Sequence, residues 1–369
     1  MRITILQGAF LPVPPLRGGA IEKAWQGLGK AFAQAGHQVT HISRLFDDLP
    51  VEETLEGVRH LRVRGAEASK NSTILKIREL FYILRARKVL PKADLIVTHA
   101  FWAPLILPQE KYGKIYVHVG RYPKGQMKIY SKAARLQAPS NVVADAIASE
   151  LPDGDRRVSS IPYPLPISTG KEIPIADRPK RVLYAGRIHP EKGVLDLVRA
   201  WRKLPDSILR EWDLRLVGAW REDQGGGGIG FLKKIKKEAG QTVEIIEPIF
   251  DDVKLIKQYE DARIFVYPSK AKRGETFGLA VLEAMRSGCV PLVSSLKCFE
   301  DFIDNHVNGV RLTSGQNQLD NLLMNALLGL LGSPRLQTLS QEAIKTAKRY
   351  EINQVTPLFL KDFEKLIGV

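Results

Sequence analysis

The stretch from Arg263 to Val293 limits the possible fold more than any other part of this 369-residue chain. Arg263-Ile-Phe-Val-Tyr267 is apolar and β-rich, so it reads as a buried strand. Pro268, Ser269 and Gly274 stop it and open a loop. Phe277 to Arg286 sets Phe277, Val281, Leu282 and Met285 on one face, which predicts a helix. Gly288 stands where a C′ glycine ends such a helix, and Val290 to Val293 begins a second strand. Strand, loop, helix and strand form a βαβ unit of a parallel sheet.

Open parallel sheets bind ligands beyond the carboxyl ends of their strands, so the chemistry is expected in this loop. Glu275 lies there, ahead of a helix N-terminus whose N–H groups suit an anion. Glu283 follows eight positions on. Read as one continuous helix, the two acids face one side at roughly 12 Å separation. That is too long for one glycosidic carboxylate pair and suits two groups gripping opposite ends of an extended ligand.

The same alternation opens the chain. Arg2 to Leu6 is a strand, Gly8 to Gly19 a Pro- and Gly-rich loop, Ala20 to Ala35 a helix closed by Gly36, and His37 to Ile42 a second strand. Strands are also expected at Val58–Val63, Asp94–Val97, Lys114–Val117 and a short one at Leu136; His99 and His118 stand at the ends of two of these. Ser72 to Leu90 mixes apolar residues with Lys76, Arg78, Arg85, Arg87 and Lys88, the composition of a basic amphipathic helix or of a core helix with a solvated basic side. Prolines at 162, 164, 166, 174 and 179 mark a linker. Beyond it, Val182 to Tyr184 leads into Gly186, Arg187, Lys192 and Gly193. Two cations on a strand-to-helix loop can neutralise a diphosphate whose charge grows as a bond to it breaks.

Glu275-Thr-Phe-Gly-Leu-Ala-Val-Leu-Glu283-Ala-Met, followed by Gly288 and Pro291, resembles the retaining GT-B glycosyltransferases of glycosyltransferase family 4, the glycosyl transferases group 1. The resemblance implies an α/β fold of GT-B type, with two Rossmann-like βαβ domains facing a central cleft. It implies an acceptor-binding domain over 1–165, a nucleotide-sugar-binding domain over 166–349, and a C-terminal helix over 350–369 returning to the first domain. It implies a hexosyltransferase that moves a sugar from a UDP- or GDP-sugar to a saccharide or lipid-linked acceptor, in polysaccharide or glycolipid synthesis, with no cofactor and no metal. On the matching positions, Arg187 and Lys192 hold the diphosphate, Glu283 the ribose, and Glu275 with His118 the donor sugar. Gly18, Gly19, Gly186, Thr276, Phe277, Gly278 and Leu279 complete the donor-binding set. Tyr163-Pro164 departs from the family's Asn-Gly pair at that point.

Other signals bear on the alternatives. Gly225, Gly227 and Gly230, with Glu247 beyond, match a dinucleotide-binding fingerprint and define the rival reading, an NAD(P)-dependent Rossmann oxidoreductase. The run begins seven residues after Gly218, however, and is expected to be a mobile loop. Asp153-Gly154-Asp155 has the spacing of a metal-binding Asp-x-Asp but neighbours Arg156 and Arg157, and it is not read as a metal site. Net charge is +15, of which +10 falls in residues 1–170. An acidic partner is therefore expected there, an anionic membrane surface or a phosphate-bearing acceptor. Nucleic acid is not expected, because the basic residues are not interleaved with aromatics. No run is long and apolar enough to span a bilayer, the N-terminus lacks a signal-peptide pattern, and Cys289 and Cys298 read as reduced thiols. The expectation is a cytoplasmic chain, with two readings open for its basic half: peripheral contact at the inner membrane face, or a soluble enzyme whose basic face binds an anionic saccharide.

Overall fold

Two parallel sheets organise the computed structural model, which describes residues 1–69, 71–165, 172–313 and 318–368. The chain divides into two compact units, Met1–Pro166 with Tyr350–Val369, and Ile167–Arg349. In the first, β1 (Arg2–Leu6), β2 (Gln38–Leu45), β3 (Glu52–Leu55), β4 (Val58–Arg64), β5 (Leu95–Thr98), β6 (Lys114–His118), β7 (Arg135–Ala138) and β8 (Val158–Ser160) pair in the order β3-β4-β2-β1-β5-β6-β7-β8. All neighbours are parallel except β3 and β4. In the second, β9 (Arg181–Ala185), β10 (Asp213–Val217), β11 (Val243–Ile246), β12 (Ile264–Tyr267), β13 (Val290–Val293) and β14 (Val310–Arg311) pair in the all-parallel order β11-β10-β9-β12-β13-β14.

Each sheet grows outward in two directions from a central pair. The winding reverses between β1 and β5 in the first unit and between β9 and β12 in the second. Such a reversal leaves a crevice beyond the carboxyl ends of the two central strands. The central strands are buried on both faces, which is why they read as continuous apolar runs.

Helices cover the faces. Ala20–Gln34 buries Trp25, Leu28 and Phe32 against β1 and β2. The final helix, Ile352–Ile367, packs on that same layer, with Phe359 edge-on to Trp25 at 5.1 Å and Phe363 edge-on to Tyr116 at 5.0 Å. The Tyr116 hydroxyl donates to Asp362 at 3.0 Å, and Arg135 pairs with the same carboxylate at 2.8 Å. On the other face, helix Ser72–Val89 buries Tyr82, Ile83 and Ala86. Asn71 caps it, its side-chain oxygen accepting from the N–H groups of Thr73 and Ile74.

Three local expectations change. The helix expected from Phe277 spans Leu279–Arg286, because Gly278 takes φ 98° and an added Cβ would lie 2.6 Å from Phe299. Glu275 lies in the loop, as expected, but the helix starts four residues beyond it, so the picture of two acids along one helix face is replaced. The 225–230 glycine run is partly ordered as the start of helix Gly228–Glu238. β3 went unforeseen because its residues are polar and edge-exposed. Its turn uses Glu56 at φ 51° and Gly57 at φ 80°, without the Asn or Asp that usually announces two left-handed residues.

Glu79 is the acid on the inner face of helix Ser72–Val89, where it accepts from the Phe101 N–H at 3.0 Å. Burial pushes its carboxyl from 4.5 up to about 7, against the opposing pull of the Phe101 and Trp102 N–H groups. The folded chain thus keeps a proton that the unfolded chain releases between those values, so this group's contribution to stability falls as pH rises through that window. Glu79→Gln keeps the shape without the titration. Urea unfolding should give nearly equal stabilities at about pH 4, below the window, and a variant more stable by on the order of 3 kcal/mol at about pH 8. A difference independent of pH would refute the assignment.

Candidate functional site

The reversal between β9 and β12 brings two loops together in the second unit. β9 ends at Ala185, and Gly186, Arg187 and Lys192 follow on the loop to helix Val194–Arg202. β12 ends at Tyr267, and Glu275 lies on the loop to helix Leu279–Arg286. The loops touch at Gly193, which has φ 69°; a Cβ there would fall 2.2 Å from the Pro268 carbonyl oxygen. The Lys270 N–H donates to the Glu191 carbonyl at 2.7 Å, and the Tyr184 hydroxyl to the Arg187 carbonyl at 2.7 Å.

Lys192 Nζ donates to Glu275 Oε2 at 2.6 Å, with side-chain exposures of only 6% and 11%. The ammonium also lies 5.5 Å from the Tyr267 ring centroid. Burial, then the Glu275 carboxylate, drives the Tyr267 phenol well above its ordinary range, so it stays protonated. Arg187 is more exposed. It donates to the Gly225 carbonyl at 2.8 Å and to Glu191 at 2.6 Å. Both cations expected to meet a diphosphate thus rest against a carboxylate, and the arrangement holds positive charge at a strand-end crevice without a large net field.

Thr276 is half-buried, and Phe277 is buried with its ring 5.8 Å from that of Phe302. Glu283 is half-buried one turn into its helix and accepts from the Tyr259 hydroxyl at 3.1 Å. Glu191 and Tyr259, which orient Arg187 and Glu283, carried no sequence signal beyond their proximity to those residues. The second unit therefore gathers Gly186, Arg187, Lys192, Glu275 and the start of helix Leu279–Arg286 around one strand-end crevice.

Gly18, Gly19 and His118 belong to the first unit. His118 ends β6 and is buried, with both ring nitrogens engaged. Gln137 gives its amide N–H to the Ile161 carbonyl, so its oxygen accepts from His118 Nδ1 at 2.6 Å. The neutral ring's Nε2 then accepts from the Tyr163 hydroxyl at 2.7 Å. Burial pulls the imidazole down to about 4, against the opposing pull of Gln137. Gly18 has φ 74° and open space around its missing Cβ. At Gly19, φ 111°, a Cβ would sit 2.3 Å from Glu22 Oε2, so this glycine makes room for an acid of the chain itself.

Glu22 is a residue the sequence reading passed over. It lies on the buried stripe with Trp25, Gly29 and Phe32, and an acid on an apolar helical stripe was the available signal. Its Oε1 lies 3.9 Å from His99 Nε2, beside the β1–β5 reversal, where a Cβ on Gly8 would come within 2.9 Å of that same nitrogen. Burial raises the Glu22 carboxyl, while burial and then the charges of His118 and Arg121 pull His99 down to about 3.

Two other sequence signals are resolved. Ten residues separate Val217, the end of β10, from the helix at Gly228, and Glu247 accepts from the Trp220 indole at 2.9 Å. This is not the tight strand-to-helix turn that the dinucleotide fingerprint requires. Asp155 is held by Arg157 through contacts of 2.6 to 3.1 Å. Among the described residues, no group of three or more His, Cys, Asp or Glu is placed to share a metal ion.

Comparison with known proteins agrees with this geometry. Residues 169–345, within the second unit, match the family model described as glycosyl transferases group 1. An uncharacterized glycosyltransferase of Methanocaldococcus jannaschii is 30% identical over 145 residues, 39% of this chain and 34% of that protein. The chain thus spans about a third of the length of that curated relative. Among solved structures, sucrose-phosphate synthase from Thermosynechococcus elongatus superposes with TM-score 0.81 at 20% identity, covering 100% of this chain and 99% of the other. Anabaena HepE, in complex with UDP and glucose, gives 0.72 at 15% identity and 99% of both chains. The fold class is therefore GT-B, two parallel-sheet α/β domains.

The Lys192–Glu275 pair gives a direct test of the site's construction. Lys192→Met strands a mostly buried carboxylate and should cost about 3 kcal/mol in urea unfolding, and Lys192→Met/Glu275→Met should cost less than the single change. Additive losses would show that the two groups do not interact.

Proposed function

We propose that this chain is a glycosyltransferase, a retaining and metal-independent hexosyltransferase of glycosyltransferase family 4. It would move a sugar from a UDP- or GDP-sugar to a saccharide or lipid-linked acceptor in polysaccharide or glycolipid synthesis. The observation that carries the reading is the buried Lys192–Glu275 pair beside Arg187 at the reversal point, inside the segment that matches glycosyl transferases group 1. The UDP and glucose bound by Anabaena HepE support UDP as the nucleotide.

In this reading Arg187 and Lys192 exchange their carboxylate partners for the donor diphosphate, which gains negative charge as the anomeric C–O bond breaks. Glu275, released from Lys192, accepts from a hydroxyl of the donor sugar, and Glu283 accepts from the ribose. Gly186 and the backbone from Thr276 to Leu279 line the donor, with the helix N-terminus toward the phosphates. The resemblance assigns His118 to the same sugar, a role in which Nε2 trades the Tyr163 hydroxyl for a sugar hydroxyl. Gly18 and Gly19 let the first loop approach the substrates closely.

The acceptor oxygen attacks the face that the diphosphate leaves. Its proton passes to the departing phosphate oxygen, so charge balances without a protein nucleophile and configuration is retained. Residues 1–165 serve the acceptor and 166–349 the donor, with 350–369 completing the first domain. The free, buried Cys289 and Cys298 support a cytoplasmic setting.

Arg187→Ala or Lys192→Ala should lower turnover of a UDP- or GDP-hexose by about 10²-fold or more. Activity should survive excess EDTA, because the two cations carry the electrostatic load at the diphosphate. Proton NMR of the product should show the donor's own anomeric configuration. An inverted product, or loss in chelator restored by Mg²⁺ or Mn²⁺, would refute the corresponding part of the proposal.

A further inference from the structure

Helix Ser72–Val89 has two apolar faces, and the sheet covers one. The inner face carries Glu79, Tyr82, Ile83 and Ala86. Ile74, Ile77, Phe81 and Leu84 follow at spacings of three, four and three, a single stripe roughly opposite the inner face. All four are exposed, with Ile77 at 50% and Phe81 at 54%. The stripe runs about 15 Å along the helix axis. Five of the chain's sixteen exposed large apolar side chains, among the described residues, lie on this one helix. Such concentration marks an interaction surface, whereas scattered exposure is ordinary.

The charges that this helix itself sets around the stripe are of one sign. The stripe's next position is Lys88. Arg78 and Arg85 flank one edge, Lys76 and Arg87 the other. The helix's own acid, Glu79, is on the covered face. The contacts these cations make are with neutral groups: Arg78 donates to the Glu67 carbonyl, Arg85 to the Arg64 carbonyl, and Lys76 lies 4.6 Å from the Phe101 ring centroid. Their charge is therefore unspent toward solvent.

We infer that this outer face docks on an anionic lipid bilayer, with the helix in the plane of the interface. The apolar stripe would enter the acyl boundary while Lys76, Arg78, Arg85, Arg87 and Lys88 meet lipid phosphates from both edges. No helix of the described chain is long and apolar enough to cross a membrane, so the contact is peripheral. Charge complementarity selects this occupant. A second copy would bring the same cations face to face, which opposes pairing. A soluble polyanion would answer the cations but leave the apolar stripe uncovered. The inference stands apart from the transfer reaction and is tested without it.

The full chain should co-sediment with phosphatidylglycerol/phosphatidylcholine vesicles at low salt, bind pure phosphatidylcholine weakly, and be released as salt rises. Lys76→Glu/Arg87→Glu/Lys88→Glu should weaken binding by more than about 10²-fold, since each cation near such a surface contributes about five-fold. Ile77→Asp/Phe81→Asp should also abolish it. Because the altered side chains are exposed, circular dichroism and the unfolding midpoint should match wild type in both variants. Failure of wild type to bind anionic vesicles would overturn the proposal. So would binding that survives the Ile77→Asp/Phe81→Asp change, which would mark a generic polyanion site, or a Phe81-dependent dimer in sedimentation, which would mark a second copy as the occupant.

Discussion

The second unit's site depends on one buried ion pair, Lys192 with Glu275. The two residues come from loops after β9 and β12, the strands between which the winding reverses, and their pairing bridges the two loops. Two charges so far from water are stable only while each neutralises the other. The pair therefore pins both loops, and the Gly193–Pro268 contact fixes their spacing. In the proposed reaction a donor diphosphate would offer Lys192 a stronger anion and leave Glu275 free to accept from a sugar hydroxyl, so that the structural tie observed here would become two binding groups.

The first unit repeats the architecture with different chemistry. Its reversal lies between β1 and β5, and the groups there are Glu22 and His99, an acid raised by burial and an imidazole lowered by it. Both shifts favour the neutral forms. The His118–Gln137–Tyr163 chain likewise fixes a neutral ring. In the proposed reading, these uncharged hydrogen-bonding groups would suit a hydroxyl-rich ligand, whereas Arg187 and Lys192 of the second unit would suit phosphate.

Much of the fold was legible because parallel sheets write their strands as short apolar runs bounded by turn residues. Ile264–Tyr267 and Val290–Val293 were read directly, as were Gly36 and Gly288 at helix ends. The loop that carries Arg187 and Lys192 was legible because Gly186 and Gly193 bound it between an apolar strand and a helix. Pairing was not: nothing local tells that Lys192 meets Glu275, 83 residues on, or that Glu191 turns back on Arg187. Glu22 was hidden because a helical stripe reads as core, and an acid within it as a fault in the pattern. The helix from Ser72 posed the reverse problem. Its apolar residues were visible, but only packing decides which of two apolar faces is covered.

Calorimetric titration of UDP and GDP into the metal-stripped protein tests the central claim most directly. One of the two nucleotides should bind in EDTA, and Arg187→Ala and Lys192→Met should each weaken it by at least about ten-fold, the loss expected for a charge-assisted hydrogen bond. Equal affinity in wild type and both variants, or no binding of either nucleotide, would contradict the account.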